Sequence, residues 1–296
     1  ATFSGTLPRG TGAYSGTVTR LNRTLFLLQA TGRDASGSAQ RAVSRVVRLA
    51  PPPLDLRAAL TVSGSLDIGP SSLVDGEEHG PEGWACPAAV AAPGVRIRDP
   101  ARIANPGCPL SSCIRGNPAV IGDSTPGDSL SQADEANWQA LAALAAKVYT
   151  GGYGPAADIA PAGTATTCDS SVRGNWGDPA SPPAVAGCTH YLPVVYAGGD
   201  LRLSGGSGQG ILLVAGDMVV EGGFQFRGVL LVRGRLTVLG MGGRILGSVR
   251  AASVDLRPGG PAGSAEILYS SCAVWTALLQ NAGARLLTPR GWVEPF

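Results

Sequence analysis

The feature that most limits what this 296-residue chain can become is a repeat. Gly199, Gly216, Gly234 and Ala252 are 17, 18 and 18 residues apart and open the related phrases GDLRL, GDMVV, GRLTV and ASVDL. A second column keeps step with the first: Gly205-Gly206, Gly222-Gly223, Gly240 and Gly259-Gly260. Units this short cannot bury an apolar face alone and gain a core only by stacking on their neighbours. The repeat therefore predicts a short right-handed β-solenoid of about four to five rungs, with short strands, glycine corners and successive turns at the ~4.8 Å strand spacing. A meander of hairpins is the competing arrangement. It lacks its strongest signal, since Asn-Gly and Asp-Gly dipeptides are absent from this region.

Side-chain alternation assigns the faces. Leu212, Val214, Met218 and Val220, matched one period later by Leu230, Val232, Leu236 and Val238, form interior ladders. Ile211, Leu213, Val229 and Leu231 fall on the opposite side of the same wall, so its outside is apolar too and calls for a cover. Two helices are available. SQADEANWQALAALAAKVYTGG predicts one over 131–149, with Ser131 as N-cap, Asp134 and Glu135 in the first turn, and Trp138, Leu141, Leu144, Ala145 and Val148 on one side. A second is expected over 272–282, stopped by Gly283.

The remaining chain divides around the repeat. Residues 1–57 read as an antiparallel sheet, with strands GTVTRL, TLFLLQATG and AQRAVSRVVRL ended by the proline run of APPPLDL, and residues 284–296 supply a last strand. Segment 58–76, containing GSLDIG, has the shape of a first rung. Residues 77–190 read as an inserted Cys/Gly/Pro-rich excursion, 191–262 as solenoid rungs, and 263–296 as strand, helix and C-terminal strand. The class is mainly β, in keeping with 43 Gly, 23 Pro and only 15% charged residues.

Charge is uneven: residues 1–57 hold eight Arg against Asp34 and Asp55, a net +6, whereas 58–190 hold six basic and thirteen acidic groups, a net −7. Solvated Arg on a strand face accounts for the first region without a nucleic-acid partner. Six cysteines without a CxxC pair, and only two histidines, favour disulfides in an exported protein over a metal site. Cys168–Cys188 is the expected bond, with Cys86 paired to Cys108 or Cys113. The opening ATFSGTLPRG has neither Met nor a signal-peptide pattern, so an export segment is expected upstream or already removed.

No catalytic residue is assigned. Asp200 and Asp217 occupy equivalent corner positions, where stacked carboxylates suit glycoside hydrolysis, but Asp beside Gly is ordinarily turn chemistry and Arg235 is next in the column. His79 and His190 sit in no metal spacing, and Asp75, Glu77, Glu78 and Glu82 read as a solvated acidic loop. Asn22 of Asn-Arg-Thr reads as a turn residue before a glycan acceptor. Trp84, Tyr153 and Trp176 are read as filling small cores in preference to forming a glycan surface. No cofactor, metal or dedicated small-molecule ligand is expected.

Taken together, GTVTRLNRTLFLLQATGR, AALTVSGSLDIG, GNWGDP, YAGGDLRLSGGSGQGILLVAGDMVVEGGFQFRGVLLVRG and YSSCAVWTALL resemble bacterial surface proteins of the type IV pilus-assembly or minor-pilin kind. The resemblance implies a hydrophobic N-terminal helix, a small pilin-like sheet and a β-solenoid head. That helix is not in this sequence. It also implies a non-catalytic part of an extracellular filament or its tip, whose partners are other pilin subunits, with surface glycan or DNA contact. A self-assembling solenoid scaffold and a polysaccharide-degrading β-helix enzyme are the alternative readings.

Overall fold

The computed structural model describes residues 1–87, 90–105, 107–123, 132–156, 158–258, 263–287 and 292–293. Two compact units emerge: Ala1–Pro52 with Ala282–Phe296, and Pro53–Asn281.

The first unit is an antiparallel sheet of β1 (Thr2–Thr6), β2 (Gly12–Arg20), β3 (Leu25–Asp34) and β4 (Gln40–Ala50), in that order. Gly283–Leu286 and Trp292–Val293 both pair antiparallel with β4, so the C-terminal segment completes the sheet. Its turns follow local chemistry. Asn22 Oδ1 accepts from the N–H of Thr24 and of Leu25 at 2.9 and 2.8 Å, an Asx turn. Asp34 organises the β3–β4 turn, where the Ser36 hydroxyl and the Ala39 N–H hold its carboxyl down to about 2.

The second unit is a stack of parallel strands. On its first wall Lys147–Tyr149, Val194–Ala197, Ser207–Val214, Phe224–Val238, Gly242–Leu256, Leu60–Val62, Val95–Ile97 and Val120–Gly122 follow one another, each parallel to the next. One interior column runs Val195, Leu212, Leu230, Val249, Leu60 and Val95, all fully buried. A second wall carries Leu201, Met218, Leu236, Val254 and Leu66 in register. On a third, Phe226, Ile245, Ile267, Val74 and Ile114 align.

Spatial order departs from chain order. Segment 58–76 stacks against Gly242–Leu256, not ahead of residue 191. The 77–190 segment, expected as an insertion, supplies strands to both ends of the stack: 95–122 beyond the 58–76 turn and 147–156 beyond 194–203. Among the described residues eight strands line the first wall, where about four to five rungs were expected. The chain enters mid-stack, builds outward to one end, crosses to the other and winds back until Ser264–Tyr269 meets Ser72–Asp75.

The apolar outer wall is covered by both helices. Besides the short α1 (Leu110–Cys113), these are α2 (Gln132–Ala143) and α3 (Ser271–Gln280). Ile211, Leu213, Val229 and Leu231 form one cluster with Trp138 and Leu141 of α2 and Val274, Ala277 and Leu278 of α3. Burying each of these side chains is worth roughly 1.5–3 kcal/mol over leaving it in water. The first helix ends at Ala143, short of the expected 149, because Lys147–Tyr149 pairs with Val195–Ala197; Leu144 and Val148 are exposed. Pairing to a strand edge overrides local helical preference here. Ser131 and Gly259-Gly260 lie outside the described residues. Ser270 caps α3, its Oγ accepting from the Ala273 N–H at 3.3 Å, and Asn281 holds its last turn through the carbonyls of Ala277 and Leu192.

The glycine columns serve two purposes. Gly216 N–H donates to Gly199 O at 3.2 Å and Gly234 N–H to Gly216 O at 3.1 Å, so these three form one stacked corner. Their need is space: a Cβ on Gly216 or Gly234 would overlap the carboxylate of Asp200 or Asp217. Gly205, Gly222 and Gly240 instead have φ of 149°, 75° and 58°. A third column, Gly210, Gly228 and Gly247, bends the long strands in register with φ of 107°, 131° and 149°. A Cβ on Gly228 would also strike the Gly210 carbonyl oxygen. Gly228→Ala is expected to destabilise the protein by about 3 kcal/mol or more in urea unfolding, whereas Gly32→Ala, with open space around it, changes stability by less than about 1 kcal/mol.

Candidate functional site

The stacked carboxylates serve the backbone. Asp200 Oδ1 accepts from the N–H of Asp217 at 2.8 Å, and Asp217 Oδ1 accepts from the N–H of Arg235 at 2.8 Å. Each Asp thus binds its equivalent in the next turn, where the corner interrupts the strand ladder. The acidic loop is likewise engaged. Asp75 Oδ1 accepts from Glu77 N–H at 2.9 Å, and His79 Nε2 lies 3.3 Å from Asp75 Oδ2. Both Glu78 oxygens accept from Ser271 N–H at 3.0 and 3.1 Å, at the start of α3. Among the described residues no group of three His, Cys, Asp or Glu could hold a metal ion, and no helix is long and apolar enough to cross a membrane. His190 is exposed and joins no such group.

The cysteines pair as Cys86–Cys272, Cys108–Cys113 and Cys168–Cys188. The expected bond from Cys86 to Cys108 or Cys113 is corrected. The fold brings Cys86 beside α3 across 186 residues of chain, while Cys108 lies just before the short α1 and Cys113 ends it.

The loop 158–190, closed by Cys168–Cys188, covers the interior at the 147–156 end of the stack. Lys147, at the end of the Val195–Leu212 column, is buried and donates its Nζ to the carbonyls of Ser170 and Val172, both at 2.6 Å. That burial pushes its pKa down, with Asp169 opposing. Tyr149 OH donates to Arg173 O and accepts from Trp176 Nε1, each at 2.9 Å. Trp176 is fully buried, edge-on to Tyr149 and Phe224, and Gly208 leaves room for it. The two Asn/Asp residues of GNWGDP fasten the loop. Asn175 donates to Ala162 O and Asp169 O at 2.9 and 2.8 Å, while Asp178 accepts from the N–H groups of Ala180 and Val185 at 3.0 and 2.7 Å.

Beside this cap a cavity of about 540 Å³ opens on the outside of the third wall, lined by His79, Glu82, Ser181, Gln225, Arg227 and Arg244 among others. Arg227 is the residue that sequence reading missed. It is only 6% exposed. Its Nη2 donates to Pro179 O, its Nε is enclosed with no acceptor, and its guanidinium carbon lies 5.1 Å from the centre of the Trp84 ring. Among the described residues no carboxylate pairs with it, and burial lowers its pKa, with Asp178 opposing through space. An outward arginine in the middle of an apolar wall, FQFRGVLLV, was the available signal. Trp84 is thus placed beside this cation; Trp176 and Tyr153 belong to the capped end.

If Asp217 acts as a backbone acceptor, Asp217→Ala lowers stability by about 1–2 kcal/mol in urea unfolding, and Asp217→Asn, which keeps a side-chain oxygen, by less than half of that.

No protein-family model matches the sequence, and no curated protein matches it. Among solved structures the chain is similar to the competence-associated pilin ComZ from Thermus thermophilus, at 13% identity, covering 99% of this chain and 87% of that one, with a TM-score of 0.23. A likeness at that TM-score carries no argument about function.

Proposed function

We propose that the chain is a non-catalytic structural and adhesive subunit displayed outside the cell, of the type IV pilus or minor-pilin kind. The observation that carries this reading is the use made of Asp200 and Asp217. At equivalent corners of successive turns, Asp200 and Asp217 each give one oxygen to a backbone N–H that the coil itself must satisfy. An acceptor engaged in this way is poorly placed to protonate a leaving group or activate water. Disulfide pairing of all the cysteines supports an oxidising compartment. GNWGDP and YSSCAVWTALL, two of the segments that carry the resemblance to pilus proteins, are here the cap of the coil and the helix over its wall.

End-to-end stacking of coils between chains is the weaker reading. Repeat coils need closed ends to stay soluble as single units, and the 158–190 loop covers one end with Trp176 and with the bonds of Lys147 and Tyr149. Antibody against the chain should label filaments sheared from intact cells, and the label should vanish when pilus assembly is disabled. Recovery only from the cytosol, or only as a free secreted monomer, overturns the reading. The isolated chain should sediment as a monomer at all concentrations; fibres that grow with concentration favour end-to-end stacking instead.

A further inference from the structure

Arg227 is a buried cation without a paired carboxylate among the described residues. Taking a guanidinium out of water without an anion costs several kcal/mol, and an apolar side chain of similar size would serve the fold better. Asp178, the acid that acts on it through space, has both oxygens occupied by backbone N–H groups. Pro179 O takes Nη2, and no acceptor among the described residues takes the enclosed Nε.

We propose that the cavity beside Arg227 binds the carboxylate of a small acidic sugar, with this guanidinium as its anchor. The planar fork of an arginine matches a carboxylate edge to edge. Trp84, beside the guanidinium, holds its plane. His79, Ser181 and Gln225 line the cavity with groups suited to sugar hydroxyls, and a volume of about 540 Å³ lies in the range of small-ligand sites. The acids of the lining work against a ligand of higher negative charge. The lining sets Arg227 and Arg244 against Glu78 and Glu82, and Arg244 already lies 3.4 Å from Glu266. A phosphate dianion or a DNA strand would meet Glu78 and Glu82 with more negative charge than a single carboxylate brings. The proposal stands apart from the pilus reading, because the cavity is complete within the second unit.

Titration calorimetry of the full, oxidised chain with glucuronate and galacturonate tests it, with glucose as the neutral counterpart and inorganic phosphate as the dianion. At least one uronate should bind about tenfold or more tightly than glucose or phosphate. Arg227→Met should abolish that preference while leaving the thermal midpoint unchanged or raised, since it removes an unpaired buried charge. Arg227→Lys, which keeps charge but not the fork, should weaken uronate binding by about tenfold. Equal affinity of the native chain for uronates and glucose overturns the proposal whether or not the variants fold. Tighter binding of phosphate, or undiminished uronate binding by a folded Arg227→Met, overturns it as well.

Discussion

The second unit depends on how closely successive turns of backbone can approach at their corners. In-register parallel stacking brings the main chain of one turn against the next, and at Gly216, Gly228 and Gly234 the space a Cβ would need is filled by the neighbouring turn. Where the strand ladder breaks at the corner, the Asp200 and Asp217 carboxylates supply the missing acceptors. Glycine and aspartate therefore recur together: one leaves the gap, and the other uses it to satisfy a backbone donor.

A wall apolar on both faces imposes the next layer. Its inner side is closed by stacking alone, but its outer side needs elements from elsewhere in the chain, and α2 and α3 come from positions about 140 residues apart to meet over it. The Cys86–Cys272 bond fixes the start of α3 to the loop following the 58–76 turn, and Glu78 takes the N–H of Ser271 in the same place. Covering helix and disulfide thus join the two ends of the sequence within the second unit at the seam where Ser264–Tyr269 meets Ser72–Asp75.

The GNWGDP segment links stability to the cavity. Asn175 and Asp178 fasten the loop, Trp176 fills the end of the interior, and the Pro179 carbonyl positions Arg227. A motif that closes a coil also orients a buried guanidinium in its wall. Burying that outward-facing cation is out of keeping with a purely structural wall, whose inward column from Phe226 to Ile114 is apolar.

The period of glycines, the alternation of Leu212–Val220 and Leu230–Val238, and the demand of Ile211, Leu213, Val229 and Leu231 for a cover were all legible in the sequence. They follow from local rules: which residues turn corners, and which alternate along a strand. Three things were not legible. Lys147–Tyr149 is helical by local pattern and becomes a strand only because Val195–Ala197 offers it an edge. Cys86 finds Cys272, and the 58–76 turn joins the stack beside Gly242–Leu256, because of contacts between residues nearly 190 positions apart. Arg227 reads as an ordinary outward side chain until the loop carrying Pro179 and the Trp84 ring enclose it. The sequence by itself determined the repeating turn, since corner and ladder residues act on their nearest neighbours. Only the tertiary structure decided the order of the turns, the closure of their end and the burial of a lone cation, since each depends on which distant segment occupies the next place in the stack.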